Sequence, residues 1–98
     1  VIRAILDALR GPHRRPRVLL VTKRGGCGLC DEAKELLASA AADTPLDLEE
    51  RAIEDDPALN AAHALEVPVV FIDGEKRFFG KVSPLLLKKA LRAAAARR

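Results

Sequence analysis

Apolar residues recur along this chain at two different spacings, and the spacing changes several times. Ile2, Ile5, Leu6 and Leu9 follow the i, i+3, i+4, i+7 rule of one helix face, and Gly11-Pro12 ends that helix. Residues 17–22, RVLLVT, are short, β-branched and nearly all apolar, as expected of a strand covered on both faces. Leu29, Ala33, Leu36, Leu37 and Ala40 return to helical spacing, through about Ala41. Residues 46–53, LDLEERAI, begin with clean alternation and predict a second strand. Asp56 followed by Pro57 is a helix start, an N-cap with proline at the first helical position. That helix is short, because Pro68 forces Val67 out of helical geometry. Residues 69–72, VVFI, predict a third strand, and Asp73-Gly74 opens a tight turn into a fourth, KRFFG. Ser83-Pro84 then starts a last helix with Leu87, Ala90, Leu91 and Ala94 on one face.

The predicted order is a helix followed by β-α-β-α-β-β-α. A β-α-β unit followed by a hairpin and a helix implies an α/β fold, a four-stranded mixed sheet with helices on both faces. The chain of 98 residues has room for one core, so residues 1–98 read as a single domain in which the helix over 1–11 is an N-terminal addition. With no Trp or Tyr and three Phe, that core must be built from Leu, Val, Ile and Ala. The net charge of +3 is unevenly spread: residues 10–24 and the C-terminal tail are basic, whereas 43–56 is mainly acidic. The basic stretches lack stacking aromatics or a recognition motif, so a solvated surface is expected and no nucleic-acid partner. No apolar run approaches a membrane span, so no membrane partner is expected. The N-terminal segment carries charges within its apolar stretch and lacks a signal cleavage site, which makes a reducing cytoplasm the expected compartment.

The chemistry rests on two cysteines, Cys27 and Cys30, in the stretch TKRGGCGLC. A closed zinc site needs four ligands, and neither a second cysteine pair nor suitably spaced histidines accompany them, since His13 and His63 lie apart. Two inert thiols are a second possibility, but core cysteines more often lie within an element than in a glycine-rich turn. A redox pair is the third, and position favours it. Cys27 falls at the N-terminus of a helix, where unpaired N–H groups and the helix dipole stabilise a thiolate. Lys23 and Arg24 add positive charge on the approach, while Asp31 and Glu32 oppose it. Together these effects can lower a thiol pKa from ~8.5 towards neutrality. Cys30, one turn in and on the buried side, can reach Cys27 but meets solvent poorly. Cys27 is therefore the expected nucleophile and Cys30 the thiol that resolves the mixed disulfide. Pro68 reads either as a plain strand-start proline or as a cis-proline facing the cysteines.

TKRGGCGLC, EVPVV about forty residues on, FIDG and a closing helix together resemble the glutaredoxin-like branch of the thioredoxin superfamily, over residues 17 to about 95. The run CGLCDEAKELL is similar to small bacterial-type glutaredoxin-like proteins with C-x-L-C. The resemblance implies a thioredoxin fold, a redox-active Cys27–Cys30 disulfide, Pro68 in cis, and Val67 pairing through its backbone with a bound peptide or glutathione. Arg24, with Lys23 adjacent, matches the basic substrate-binding position of glutaredoxins. The implied activity is thiol–disulfide oxidoreduction. A disulfide-containing protein or a glutathione mixed disulfide is then the partner, and glutathione or a thioredoxin-reductase-type enzyme the reductant. No tightly bound cofactor or metal is expected, and the chain is expected to act as a monomer. Two alternatives stand beside this, an iron–sulfur or metal-binding module using Cys27 and a redox-inert adaptor. Several features depart from the pattern. Gly26 stands where thioredoxins have Trp, Val21 where they have a buried acid, and Glu66 where glutaredoxins have Thr.

Overall fold

The computed structural model describes residues 14–97, so the helix expected over 1–11 lies outside the described residues. Within them the order is β1 (Arg17–Thr22), α1 (Gly28–Asp43), β2 (Asp47–Ala52), a single 3-10 turn (Ile53–Asp55), α2 (Pro57–His63), β3 (Val69–Ile72), β4 (Glu75–Phe79) and α3 (Pro84–Ala96). The four strands form one sheet in the order β2-β1-β3-β4. β1 runs parallel to β2 and antiparallel to β3, and β4 runs antiparallel to β3. The elements expected after residue 14 are all present. The second strand is trimmed to 47–52, because Ile53 turns inward to begin the 3-10 turn.

The central position of β1 and β3 explains their apolar runs. Side chains alternate across the sheet, so successive residues serve two cores. Val18 and Leu20 of β1 join Val70 and Ile72 of β3 on one face, where they pack on Leu37 of α1 and on Leu87 and Leu91 of α3. Val21 and Val69 face the other way and meet Ile53, with Leu19, Leu59, Val67 and Phe71 around them. α2 contributes only Leu59 to that second core and buries no residue completely. β2 and β4 are the edges, and they carry charge: Asp47, Glu49, Glu50 and Arg51 on one, Glu75, Lys76 and Arg77 on the other. Charged edges discourage pairing with further strands. One residue of the expected α1 face is misplaced: Leu29, in the first turn, is 41% exposed and belongs to the surface.

The starts of α2 and α3 are capped by side chains. Asp56 accepts from the Leu59 N–H at 3.0 Å and Ser83 from the Leu86 N–H at 3.3 Å, with proline next in each case. At the β3–β4 turn Asp73 and Gly74 both take positive φ (51° and 84°), the backbone of a tight hairpin.

Three carboxyls that hold these elements lie below the ordinary carboxylate range. Asp43 is lowered chiefly by the Arg92 guanidinium, Asp56 by the Leu59 N–H and then Arg51, and Glu66 by Lys76 and then His63. A group with a depressed folded pKa stabilises the fold while it is ionised. That stability is complete above the ordinary carboxylate pKa, about 3.9–4.3, and is lost as pH falls through the lower folded value. The urea midpoint is therefore expected to hold steady from neutrality to about pH 5 and to drop below about pH 4. A midpoint unchanged down to about pH 2.5 would contradict these assignments.

Candidate active site

The site is built where β1 ends. Two consecutive glycines, Gly25 and Gly26, take φ of 72° and 65°. A Cβ would meet nothing within 4 Å at either position, so the backbone conformation, and not crowding, calls for glycine. This left-handed pair turns the chain from the strand into α1 and delivers Cys27 to the N-cap. There the Cys27 sulfur accepts from the Cys30 N–H at 3.1 Å, and its carbonyl accepts from the Asp31 N–H at 3.2 Å. Cys27 and Cys30 are joined as a disulfide with Cα atoms 5.2 Å apart. Their environments differ. Cys30 is 2% exposed against the core, whereas Cys27 is only half-buried.

An open cleft of about 440 Å³ lies beside the pair, lined by Lys23, Arg24, Cys27 and Cys30 among the expected site residues. Its wall also includes Thr22, Asp31, Lys34 and Glu50. Glu50, from β2, accepts from the Thr22 hydroxyl at 3.2 Å and pairs with Lys34 Nζ at 2.9 Å. The Glu50 hydrogen bond raises the Lys34 pKa. Arg24 is held by acids as well. Its backbone N–H donates to both oxygens of Glu54, and its guanidinium pairs with Asp55, which raises its pKa.

Val67 and Pro68 lie outside the lining of this cleft. The register nevertheless places them at the same end of the sheet. Val21 pairs with Val69, so Pro68 falls opposite Thr22, where the cysteine loop departs. The Val67–Pro68 peptide is cis. The Gly80 N–H lies within hydrogen-bonding distance of both the Pro68 and the Glu66 carbonyls, at 2.8 and 3.2 Å. Among the described residues the backbone N–H and carbonyl of Val67 make no backbone hydrogen bond. Glu66, which stands where glutaredoxins have Thr, bonds to Lys76 Nζ at 2.7 Å and His63 Nδ1 at 2.8 Å.

A family model for the Glutaredoxin-like domain (DUF836) matches residues 17–92, nearly all of the described chain. The chain belongs to this family. A structural-genomics target protein from X. campestris superposes with a TM-score of 0.65 at 30% sequence identity, covering 78% of this chain and 96% of that one. A single-residue mutant of a thioredoxin from Halobacterium salinarum gives a TM-score of 0.62 at 21% identity, covering 84% of this chain and 76% of its own. Mitochondrial thioredoxin 3 from Saccharomyces cerevisiae, in its oxidized form, gives 0.61 at 14% identity, covering 94% and 89%. The two thioredoxins share the fold. A search of curated proteins finds no match.

Sequence reasoning about this glutaredoxin-like domain missed Lys34, Glu50, Glu54 and Asp55. A usable signal was present. In a β-α-β unit the two strands run parallel, so their C-terminal ends meet, and ligand sites form there. That rule alone brings residues 50–55 beside residues 22–27. Val21 is fully buried where thioredoxins have an acid, and the carboxylates that line this cleft are Asp31 of α1 and Glu50 of the neighbouring strand. Among the described residues no three His, Cys, Asp or Glu side chains cluster as a metal site, and no helix is long and apolar enough to cross a membrane.

Proposed function

We propose that this glutaredoxin-like domain is a dithiol–disulfide oxidoreductase, and the observation that carries the reading is the asymmetric Cys27–Cys30 disulfide at the N-terminus of α1. The Cys30 N–H that contacts Cys27 sulfur in the disulfide is placed to stabilise a Cys27 thiolate in the reduced form. Cys27 thiolate attacks one sulfur of the substrate disulfide and expels the other as a thiolate. Cys30 then loses its proton to water in the open cleft and attacks Cys27 sulfur, expelling the second substrate thiolate, which can take up a proton from solvent. Two protein thiols become one disulfide, and one substrate disulfide becomes two thiols. Lys23 and Arg24 flank the substrate approach, and the Val67 backbone is available to pair with an extended substrate strand. An external thiol or a thioredoxin-reductase-type enzyme returns the pair to the dithiol in a reducing cytoplasm.

The test is direct. Reduced protein, freed of reductant and mixed with hydroxyethyl disulfide, is expected to lose both of its thiols in titration with a thiol reagent and to return to the dithiol on addition of dithiothreitol. Thiols that persist at neutral pH would sink the reading and favour a redox-inert domain.

A further inference from the structure

The charge around the cleft narrows the substrate class, on the disulfide-exchange reading above. Lys23, Arg24 and Lys34 supply three cations to the lining of the cleft, a set that would suit an anionic substrate if all were free. Two of them are already engaged. Asp55 holds the Arg24 guanidinium, both oxygens of Glu54 take its backbone N–H, and Glu50 holds Lys34. With Asp31 on the wall, four carboxylates stand against three cations. Lys23 alone has no carboxylate within ion-pair distance among the described residues.

Exposed ion pairs are weak, roughly 0–1 kcal/mol each, so an incoming carboxylate could displace Asp55 from Arg24. The exchange gains little, because one carboxylate replaces another while the displaced one stays next to the newcomer. Glutathione carries more carboxylate than ammonium groups, and its disulfide doubles the excess. An extended polypeptide with neutral or basic residues beside its cysteine meets no such repulsion, and the Val67 backbone is open to it. We propose that the Cys27–Cys30 cleft selects polypeptide disulfides flanked by neutral or basic residues, and that Glu50 in its wall, with Glu54 and Asp55 where they hold Arg24 beside it, turns away anionic low-molecular-weight disulfides such as glutathione disulfide.

The experiment mixes the reduced protein with four disulfides in stopped flow and follows thiol loss. They are hydroxyethyl disulfide, glutathione disulfide, and two dimers of one short cysteine peptide flanked by Lys or by Glu. At low ionic strength the Lys-flanked dimer is expected to react at least about tenfold faster than glutathione disulfide or the Glu-flanked dimer. The gap is expected to close in about 0.5 M salt, where the screening length falls to a few ångströms. Glutathione disulfide reacting as fast as the Lys-flanked dimer overturns the proposal while leaving the oxidoreductase reading intact. No reaction with any of the four, hydroxyethyl disulfide included, overturns both. The double variant Glu54→Gln, Asp55→Asn keeps the surface shape and is expected to raise the rate with glutathione disulfide, relative to that with hydroxyethyl disulfide, by about fivefold or more. A relative rate that does not rise in this variant also overturns the proposal.

Discussion

Cys27→Ser is expected to abolish disulfide exchange, lowering its rate by at least about a thousandfold, because a serine hydroxyl at neutral pH has no thiolate with which to attack a sulfur. Cys30→Ser is expected to behave differently. Cys27 still attacks, but the buried thiol that would release the product is gone, so substrate accumulates as a mixed disulfide on Cys27. Non-reducing mass analysis after incubation with a peptide disulfide checks both. Cys30→Ser should carry one covalently bound peptide, removable with dithiothreitol, and Cys27→Ser should carry none. The direction follows from burial: Cys30 is 2% exposed against the core, whereas Cys27 is only half-buried. A peptide trapped on Cys30 in the Cys27→Ser protein, with none on Cys27 in the converse variant, would reverse the two roles.

The second large effect is structural. Leu20→Ala is expected to cost about 2–5 kcal/mol, the range for truncating a fully buried leucine. Leu20 is 0% exposed at the centre of the sheet, beside Val70 and under the α1–α3 layer. Domains of this size have roughly 5–15 kcal/mol of stability, so the loss is a large share of it. With a urea dependence of about 1–3 kcal/mol per molar, the midpoint should fall by roughly 1 M or more at unchanged slope. Leu65→Ala is the control. Leu65 is fully exposed, and its truncation should stay within about 0.5 kcal/mol. Equal shifts for the two variants would contradict the placement of the core.

Much of the fold could be read from local patterns because each pattern has a local cause. The unbroken apolar run at 17–22 requires burial on two faces, and β1 is indeed flanked by a strand on each side with a core above and below. Asp56-Pro57 and Ser83-Pro84 announced helix starts because capping needs only a side-chain acceptor three residues from an N–H. Leu29 misled because helical spacing marks a face without saying whether anything covers its first turn. The glycine pair before Cys27 signalled a turn, but which residue needed left-handed backbone emerged only from the dihedral angles.

The candidate site divides along the same line. By itself the sequence determined the Cys27–Cys30 pair, its place between an apolar strand and a helix, and the Val67-Pro68 step before the third strand, since all of these depend on neighbours within a few residues. Only the tertiary structure decided what surrounds the pair. The parallel pairing of β1 with β2 brings Glu50, Glu54 and Asp55 from later in the chain to meet Arg24 and Lys34. Charge is long-ranged in space and blind to sequence order, so the sign of the field at the cysteines is a property of the fold.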